Sequence, residues 1–319
     1  MKHKILTTTG MKYLFDKIQS PILTALKSEL ITEQFSDSEI ACKFPESVRG
    51  AHLFLFCETS KPENLIELMF AVNAAYLSAA KCVTLIVPYF GYCRQDRQEG
   101  PRGSLGAALI ARMITSRELA PIVDRVVTID LHAEQEQAFF STPCEHIRGN
   151  TIFLNEIRSL IKDNTILCSP DAGGTKRVEK YVNKLGLPMV TINKRRDKPN
   201  EIASMELNGN VEGKEVIIID DIVDTCGTLK KAVTYLKEKG ALKVHYIATH
   251  PVLSGKAITN LQESNLDSLV ISDTIAAPFS HSKDYPKLPE IKIISCVPVI
   301  EKVILNLIGD TSVSEISNI

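Results

Sequence analysis

The residues best suited to chemistry lie in one stretch, Val216 to Thr228, which reads VIIIDDIVDTCGT. Four β-branched residues predict a strand buried on both faces, and the acidic pair Asp220 and Asp221 is expected where that strand ends. Apolar residues at helical spacing follow up to Gly240, because glycine commonly ends a helix. The stretch is therefore predicted to form a strand, an acidic turn and a helix.

The turn has the composition of a phosphate site flanked by acids. Backbone N–H groups at a helix N-terminus, helped by the hydroxyls of Thr225 and Thr228 and by close approach at Gly227, can hold a phosphate. The carboxylates would repel a bare phosphate and suit hydroxyl groups or a hydrated divalent metal. A sugar phosphate suits both parts of the turn, because its phosphate fits the N–H groups and its hydroxyls fit the carboxylates. The alternative is an ordinary strand-to-helix turn with capping Asp and Thr, which the whole pattern disfavours.

Three further polar stretches follow predicted strands, where ligands bind in open α/β sheets. The loop Pro88 to Arg97 carries two arginines that suit a polyphosphate, although a solvated surface loop explains them equally well. His132 lies among carboxylates and could attend Mg²⁺ through water, but a lone histidine is more often structural. The stretch Asp171 to Gly174 predicts a second anion-binding turn for a pyrophosphate with its metal. Paired glycines alone are weak evidence, since turns use them freely.

Two more segments have open interpretations. Lys194 to Arg196 are three consecutive cations after a predicted strand, and form either a solvated loop or a lid over a transferring phosphate. Phe35 lies among acids in a loop that reaches Glu39. Its ring could stack on a base or could anchor the loop.

Length and composition bound the protein class. The chain has 319 residues, of which 44% are hydrophobic and 24% charged, and its formal net charge is -1. These values predict a soluble globular protein of two domains, about 150 residues each, without a bulk charge for nucleic acid or membranes. We expect a cytoplasmic protein, because no apolar run could span a bilayer and the N-terminus lacks a signal-peptide core. The eight cysteines are scattered without a Cys-x-x-Cys pair, so neither disulfides nor a zinc site is expected.

A coarse pattern of strands and helices positions these turns. Predicted strands cover 52–57, 83–87, 125–129, 165–168, 189–192 and 244–248, and predicted helices cover 63–80 and 105–119. Residues 144–151 are interpreted as a crossover, after which the order of strand, ligand turn and helix repeats. The repeat predicts an α/β fold of two tandem doubly wound domains with mainly parallel sheets. The expected domains are 1–146, joined by the C-terminal tail 297–319, and 147–296.

The ordered motifs resemble those of the ribose-phosphate pyrophosphokinase family, also called phosphoribosyl-pyrophosphate synthetases. The resemblance spans Phe35 to about Ser314 and rests on FSDSE (35–39), PYFGYCRQDR (88–97), DLHA (130–133), SPDAGG (169–174), KRR (194–196) and DDIVDTCGT (220–228). It implies a transferase of nucleotide biosynthesis that moves the β,γ-diphosphoryl group of ATP to the 1-hydroxyl of ribose 5-phosphate, giving phosphoribosyl pyrophosphate and AMP. It also implies two domains of the type I phosphoribosyltransferase fold, Mg²⁺ as cofactor, and hexamers built from dimers.

The resemblance implies a role for each matching position. The implied ribose 5-phosphate site comprises Asp220, Asp221, Asp224, Thr225, Cys226, Gly227 and Thr228. The implied pyrophosphate turn comprises Asp171, Ala172, Gly173 and Gly174, and the implied metal residues are His132 and Asp171. The implied ATP site comprises Arg94, Gln95, Asp96 and Arg97, with Phe35, Asp37 and Glu39 reaching the adenine from a neighbouring subunit. Lys194 and Arg196 are expected to be catalytic, because cations can stabilise charge on the transferred group.

Several positions depart from the family pattern. Leu6 to Thr9 replaces a usual Phe-Ser-Gly-Asn, Ser38 replaces a glycine, Cys93 an alanine and Asp197 a proline. Ser104 to Ala108 replaces a Pro-Ile-Ser/Thr-Ala-Lys sequence in a neighbourhood that binds regulatory phosphate and nucleotide in the family. Allosteric control by phosphate and ADP is therefore an open question.

Two other functions stay open at this stage. A phosphoribosyltransferase that consumes phosphoribosyl pyrophosphate would share the acidic turn, but would not explain the arginine loop 94–97 or the cations 194–196. A catalytically silent regulatory homologue would be expected to have lost the cationic loop or the acidic turn, and both are intact. The sequence therefore favours an active synthetase.

Overall fold

The structure is a computed structural model that describes residues 1–98, 100–195, 204–277 and 288–317. The chain divides into two compact units, Met1–Thr151 with Cys296–Ile319, and Ile152–Ser295. Each unit is built on a mainly parallel sheet with helices in the connections, so the predicted α/β class with two doubly wound domains is confirmed. None of the helices in the described ranges is long and apolar enough to cross a bilayer.

The described elements have the following bounds. The strands are β1 (Lys2–Thr7), β2 (Ile31–Gln34), β3 (Ile40–Lys43), β4 (Ala51–Phe56), β5 (Cys82–Val87), β6 (Val123–Ile129), β7 (Cys144–Ile147), β8 (Thr165–Ser169), β9 (Met189–Arg195), β10 (Ser204–Asn208), β11 (Glu215–Val223), β12 (Lys243–Pro251), β13 (Ser268–Ser272) and β14 (Glu290–Ile294). The helices are α1 (Lys12–Phe15), α2 (Pro21–Ala25), α3 (Pro62–Leu77), α4 (Gly106–Thr115), α5 (Asn150–Leu160), α6 (Thr175–Leu185), α7 (Gly227–Glu238), α8 (Ala257–Gln262), α9 (Val297–Ile308) and α10 (Ser314–Ser317). Short 3-10 turns cover Thr9–Met11 and Glu134–Phe139.

The sheet of the first unit has the order β1-β4-β5-β6-β7, with all neighbours parallel. On the other side of β1, a single parallel bridge joins Ile5 to Lys27. The strand order therefore reverses at β1, as it does in a doubly wound sheet. The hairpin of β2 and β3 forms a separate antiparallel pair.

The sheet of the second unit has the order β10-β9-β8-β11-β12-β13-β14. The β9–β10 pair is antiparallel and the other described pairs are parallel. The strand order reverses between β8 and β11. Ligands bind at such switch points, beyond the carboxyl ends of the strands, in open α/β sheets.

Helix α7 follows directly from its sequence pattern. Leu229, Ala232, Val233 and Leu236 are all buried, which is the apolar stripe expected at 3.6-residue spacing. Burying each of the larger side chains contributes about 1.5–3 kcal/mol. The chain leaves the helix at Gly240, whose φ of 90° suits glycine. This packing fixes the turn that precedes the helix.

The C-terminal tail is tied into the first unit. The Glu301 side chain, on α9, accepts hydrogen bonds from the backbone N–H groups of Gln19 and Ser20, each at 2.7 Å. These two residues lead into α2. The contact gives α9 a fixed place beside the N-terminal segment.

In the second unit, the predicted strands that end at Asp220 and at Ile192 are both too short. Strand β11 continues three residues past Asp220, because β12 pairs with it as far as Val223. The strand that begins at Met189 does not stop at Ile192 but runs to Arg195, because β10 pairs with it. Lys194 is therefore part of a strand backbone rather than of a free loop.

Two predicted boundaries in the first unit are also wrong. The expected crossover 144–151 begins with a short edge strand, β7, whose mixed side chains lack an apolar signal. The helix predicted to reach Leu119 ends at Thr115, since Ser116 is extended. The Ser116 hydroxyl instead accepts the N–H groups of Glu118 and Leu119. Local side chain to backbone bonds of this kind compete with a helix.

Candidate active site

The acidic pair on β11 has two different sets of partners. Asp220 accepts a hydrogen bond of 2.6 Å from the Tyr246 hydroxyl on β12. Asp221 is buried, with 4% of its surface exposed, and one of its carboxylate oxygens lies 3.3 Å from a guanidinium nitrogen of Arg177. Successive side chains of a strand point to opposite faces, which explains the separate partners. That both carboxylates act on one ligand stays a prediction.

The surroundings of Asp220 disfavour its negative charge. Burial and the adjacent Asp221 raise the pKa of Asp220 well above its usual range, and the Tyr246 hydrogen bond opposes this only in part. Burial and Asp220 also raise the pKa of Tyr246. A cation at this end of β11 would restore the ionised form of Asp220, so the pair fits a divalent metal such as Mg²⁺.

The turn after β11 is held from outside by two residues. The Asp224 carboxylate accepts the Ser254 hydroxyl at 2.5 Å, and the Thr225 carbonyl accepts the Asn260 amide at 2.8 Å. Cys226 is left-handed, with φ 59° and ψ 6°, directly before α7. Such strained positions concentrate at ligand sites. The turn therefore presents the N-terminus of a 12-residue helix, where N–H groups and the helix dipole favour an anion.

Space above this turn is open. A Cβ placed on Gly227 would have as its nearest neighbours the Thr225 hydroxyl at 3.8 Å and the Asn260 amide at 3.9 Å. The protein therefore imposes no steric need for glycine here. A ligand that approaches the backbone closely would impose one.

The turn after β8 is capped by the side chain of Asp171, which lies within the turn. The Gly174 N–H donates to the Asp171 carboxylate at 2.9 Å, and the Ser169 hydroxyl donates to the Asp171 carbonyl at 2.7 Å. A Cβ on Gly174 would lie 3.0 Å from the Ser169 hydroxyl, which is a tight contact. Ala172 and Gly173 at the tip of the turn are exposed. Asp171 therefore caps this turn, whatever else it binds.

The two turns lie at the same edge of the sheet. Strands β8 and β11 are parallel neighbours, so their carboxyl ends meet at the switch point. The Arg177–Asp221 ion pair also links the first turn of α6 to β11. Strand β9 is the next neighbour: Thr191 pairs with Ser169, which puts the Lys194 backbone three residues further along. The side chain of Lys194 and all of Arg196 lie outside the described residues.

The arginine loop follows β5 at the corresponding edge of the first unit. It is anchored by the Gly91 N–H, which donates to the Thr59 hydroxyl at 2.8 Å. The Gln95 carbonyl accepts the N–H of Ala107 at 3.2 Å, at the start of α4. The Gln95 side chain lies against Gly106, in the space that a Cβ would fill. The unusual sequence 104–108 therefore packs directly on this loop.

The other loop side chains are placed for contact with solvent or a ligand. Arg94 and Arg97 are exposed and Asp96 is partly buried. An exposed pair of guanidinium groups after a strand end can receive phosphates. Their assignment to ATP stays a prediction.

The acidic loop 35–39 is the tip of the β2–β3 hairpin. The Phe35 N–H donates to the Glu39 carbonyl at 2.8 Å, and the Asp37 carboxylate accepts the Glu39 N–H at 3.1 Å. Ser38 has a φ of 75°, which explains why a glycine is usual there. The Phe35 ring is 53% exposed and therefore does not anchor the loop in a core.

His132 follows a strained strand end. Asp130 has a φ of 46°, and the next N–H, that of Leu131, donates to the His146 ring at 3.0 Å. The His132 side chain is exposed. His132 belongs to the first unit and Asp171 to the second, so a shared metal stays a prediction.

Sequence reasoning gave no role to four residues that support the site. Arg177 lies three residues past the SPDAGG motif, and its Asp221 partner is distant in sequence. Tyr246 was one residue of an apolar strand, and its hydroxyl could be matched to Asp220 only after the strand pairing was known. Ser254 and Asn260 lie in unremarkable polar segments.

The comparisons with known proteins cover nearly all of the chain. Residues 3–117 match the family model of the N-terminal domain of ribose phosphate pyrophosphokinase, and residues 169–316 match that of the phosphoribosyl synthetase-associated domain. The chain is 38% identical over 312 residues to a ribose-phosphate pyrophosphokinase of Porphyromonas gingivalis, covering 97% of this chain and 96% of that protein. It is 42% identical over 304 residues to a ribose-phosphate pyrophosphokinase of Campylobacter jejuni, covering 95% of each.

A solved structure has the same fold over both units. The phosphoribosylpyrophosphate synthetase of Mycobacterium smegmatis superposes with a TM-score of 0.86 and 29% identity, covering 97% of this chain and 100% of that chain. On the strength of these full-length matches, the chain belongs to the ribose-phosphate pyrophosphokinase family.

Proposed function

We propose that the protein transfers the β,γ-diphosphoryl group of ATP to the 1-hydroxyl of ribose 5-phosphate, forming phosphoribosyl pyrophosphate and AMP. One observation carries the proposal: an acid-flanked anion turn and a glycine-rich anion turn meet at one switch point. A sugar phosphate needs the first turn, and a diphosphoryl group needs the second. The family membership supports the same reaction.

The acceptor half of the proposed site is the turn after β11. Its backbone N–H groups, with the hydroxyls of Thr225 and Thr228, hold the 5-phosphate. The acids of β11 accept hydrogen bonds from ribose hydroxyls. The turn 171–174 binds the diphosphoryl group during its transfer. Both turns belong to domain 147–296.

The donor half is assigned to the domain formed by 1–146 and the tail 297–319. The exposed guanidinium groups of Arg94 and Arg97 hold ATP phosphates, with Gln95 and Asp96 beside them. Phe35 stacks on the adenine, and Asp37 and Glu39 contact its edge, from a neighbouring subunit. The exposure of Phe35 at the hairpin tip supports this role.

Mg²⁺ is the proposed cofactor, with Asp171 and His132 as its protein contacts. When bound, it neutralises charge on the phosphates. The adjacent carboxylates of Asp220 and Asp221 on β11 are compatible with a nearby cation. The chain itself positions the two substrates, because in-line attack on a phosphorus atom needs alignment more than a covalent intermediate.

Lys194 and Arg196 are the proposed catalytic residues. They stabilise negative charge that develops on the transferred group. Replacing Lys194 by Ala should lower kcat by about 10²–10⁵ and change KM far less, since the contact strengthens in the transition state. Lys239→Ala, on an exposed position of the same domain, is the control. A change in KM alone would remove Lys194 from the catalytic step.

A homo-oligomer, a hexamer built from dimers, is the proposed assembly, and the cytoplasm the proposed location. Helix α3 supports assembly because Ile66, Phe70, Tyr76 and Leu77 are all 46–74% exposed on it. Apolar side chains grouped on one helix commonly mark a protein contact. Adenine contacts from a neighbour would make the assembly necessary for activity.

The test is formation of AMP by the pure protein with ATP, ribose 5-phosphate and Mg²⁺. AMP should appear only when all three are present, and Asp224→Asn should reduce it, because Asp224 holds the phosphate turn. Absence of AMP at every phosphate concentration would favour the catalytically silent homologue. AMP formed without the sugar would point to hydrolysis of ATP instead.

A further inference from the structure

A second group of ligating side chains lies at the opposite end of the first unit's sheet. The ligand atoms of His52, Cys82 and Asp124 all lie within 4.8 Å of one another. These residues stand at the amino ends of β4, β5 and β6, whereas the arginine loop and His132 follow the carboxyl ends of β5 and β6. A six-residue strand is about 20 Å long, so the cluster is separate from those loops.

The sheet itself brings the three side chains together. His52 and Cys82 are register partners on neighbouring parallel strands, and so they share a face. Between β5 and β6 the register shifts, because Val83 pairs with Val123 while Thr84 pairs with Arg125. Asp124 is the extra residue of this bulge, and bulges commonly re-aim a side chain.

We propose that His52, Cys82 and Asp124 form a binding site for a zinc-like transition-metal ion. An imidazole, a thiol and a carboxylate are the three side-chain types that bind Zn²⁺ in proteins. At usual bond lengths the ligand atoms of a tetrahedral site lie about 3.5 Å apart. Side-chain rotations of about 1 Å would therefore close the cluster on an ion.

The neighbours of the cluster suit a ligating histidine. The Nε2 atom of His52 lies 2.8 Å from the Thr84 hydroxyl, which donates in turn to the Asp124 carboxylate at 3.3 Å. A histidine that binds metal through one ring nitrogen usually donates the other N–H to such a partner. Metal binding through Nδ1 of His52 would keep this chain intact.

A fourth ligand position has a nearby candidate. His3 pairs with His52 on the neighbouring strand, and the two ring centroids lie 5.7 Å apart. Within the described residues, the buried Nδ1 atom of His3 has no hydrogen-bond partner. Water or His3 would complete a tetrahedral site, and the proposal requires neither in particular.

The competing explanation is a hydrogen-bonded network without a metal. In that network the Cys82 thiol stays protonated and donates to Asp124, and Lys81 and Arg125 add positive charge nearby. Metal binding would break the S–H bond, release the proton to solvent and form a bond between sulfur and metal. The two explanations therefore differ in stoichiometric metal content.

The experiment measures metal bound to the full-length protein. After dialysis with Zn²⁺ and excess Mg²⁺, the protein should retain one equivalent of zinc. Replacing zinc by Co²⁺ should give a thiolate-to-cobalt charge-transfer band. Cys82→Ser should abolish the band, and Asp124→Asn should weaken zinc binding by at least about 10-fold. Cys144→Ser is the matched control, because Cys144 lies in β7 of the same sheet, and it should bind as the unmodified protein does.

The outcomes separate the two explanations. No retained zinc would overturn the proposal, as would a charge-transfer band that persists in Cys82→Ser. Thermal unfolding provides a second readout: zinc should raise the unfolding temperature of the unmodified protein and of Cys144→Ser, but not of Cys82→Ser. A Cys82→Ser protein that gains the same zinc-dependent stability would also contradict the site.

Discussion

Glu67 offers a quantitative test of how the β2–β3 hairpin is held. This residue lies on α3 with 4% of its surface exposed. One carboxylate oxygen accepts three hydrogen bonds: from the Thr9 N–H at 2.9 Å, the Thr9 hydroxyl at 2.8 Å and the Thr32 hydroxyl at 2.7 Å. Glu67 therefore joins the segment after β1 to strand β2, which leads into the proposed adenine platform.

The substitution Glu67→Gln keeps the shape and the acceptor but removes the charge. A hydrogen bond to a charged group contributes about 1.5–3 kcal/mol and a neutral one about 0.5–1.5 kcal/mol. The loss is about 1 kcal/mol for each of the three bonds, or about 3 kcal/mol in all. For a unit of this size, that lowers the unfolding temperature by roughly 6–12 °C.

Thermal unfolding of the two variants Glu67→Gln and Glu63→Gln provides the comparison. Glu63 is exposed on the same helix, so its substitution should change stability by less than about 0.5 kcal/mol. Hydrogen exchange should locate the loss in β2, β3 and the segment 7–11. The KM for ATP should also rise, since the hairpin carries Phe35. Equal unfolding temperatures for Glu67→Gln and the unmodified protein would refute the anchoring role.

Three further substitutions have defined outcomes. Ser38→Gly should stabilise the protein by about 0.5–1 kcal/mol in urea unfolding, because a φ of 75° strains serine. Asp220→Asn should lower activity yet raise stability by about 0.5–2 kcal/mol. Because the folded protein raises the pKa of Asp220, the contribution of this carboxyl to stability is present at low pH and is lost as pH rises through the folded-state pKa. The difference in stability between Asp220→Asn and the unmodified protein should therefore grow with pH in thermal scans. Gly91→Ala should cost about 1–3 kcal/mol, since its Cβ would lie 2.5 Å from the Thr59 carbonyl; unchanged unfolding would contradict that packing.

Local patterns predicted the parts of the site that depend on one segment. The strand, turn and helix around Asp224 follow from β-branched residues, turn residues and a 3.6-residue stripe, all within a short stretch. The parallel arrangement then follows from the repeated order of strand and helix. For this reason the position of both turns at the carboxyl ends of strands could be expected from the sequence.

Pairing between distant segments limited the prediction of boundaries. Pairing with β10 stabilises the part of β9 beyond Ile192, and pairing with β12 stabilises the end of β11. Local propensity carries no information on either pairing. Strand β7 has only four residues, three of which have half-buried side chains. Tertiary pairing overrides weak local signals in such cases.

Contacts between residues on separate elements could also not be predicted from the sequence. The cysteine spacing gave no reason to expect zinc, because His52, Cys82 and Asp124 are brought together by strand register and a bulge. No motif singles out Glu67, and only the fold shows its three donors. The catalytic role of Arg196 stays a prediction, since this residue lies outside the described residues.

In the proposed reaction, two phosphoryl groups move together from ATP to the sugar. Phosphorus NMR of a reaction with ATP, ribose 5-phosphate and Mg²⁺ tests this directly. We expect AMP and a sugar that carries a diphosphoryl group at carbon 1, in equal amounts. ADP with a sugar bisphosphate would contradict the claim, because it would mean that a single phosphoryl group had been transferred.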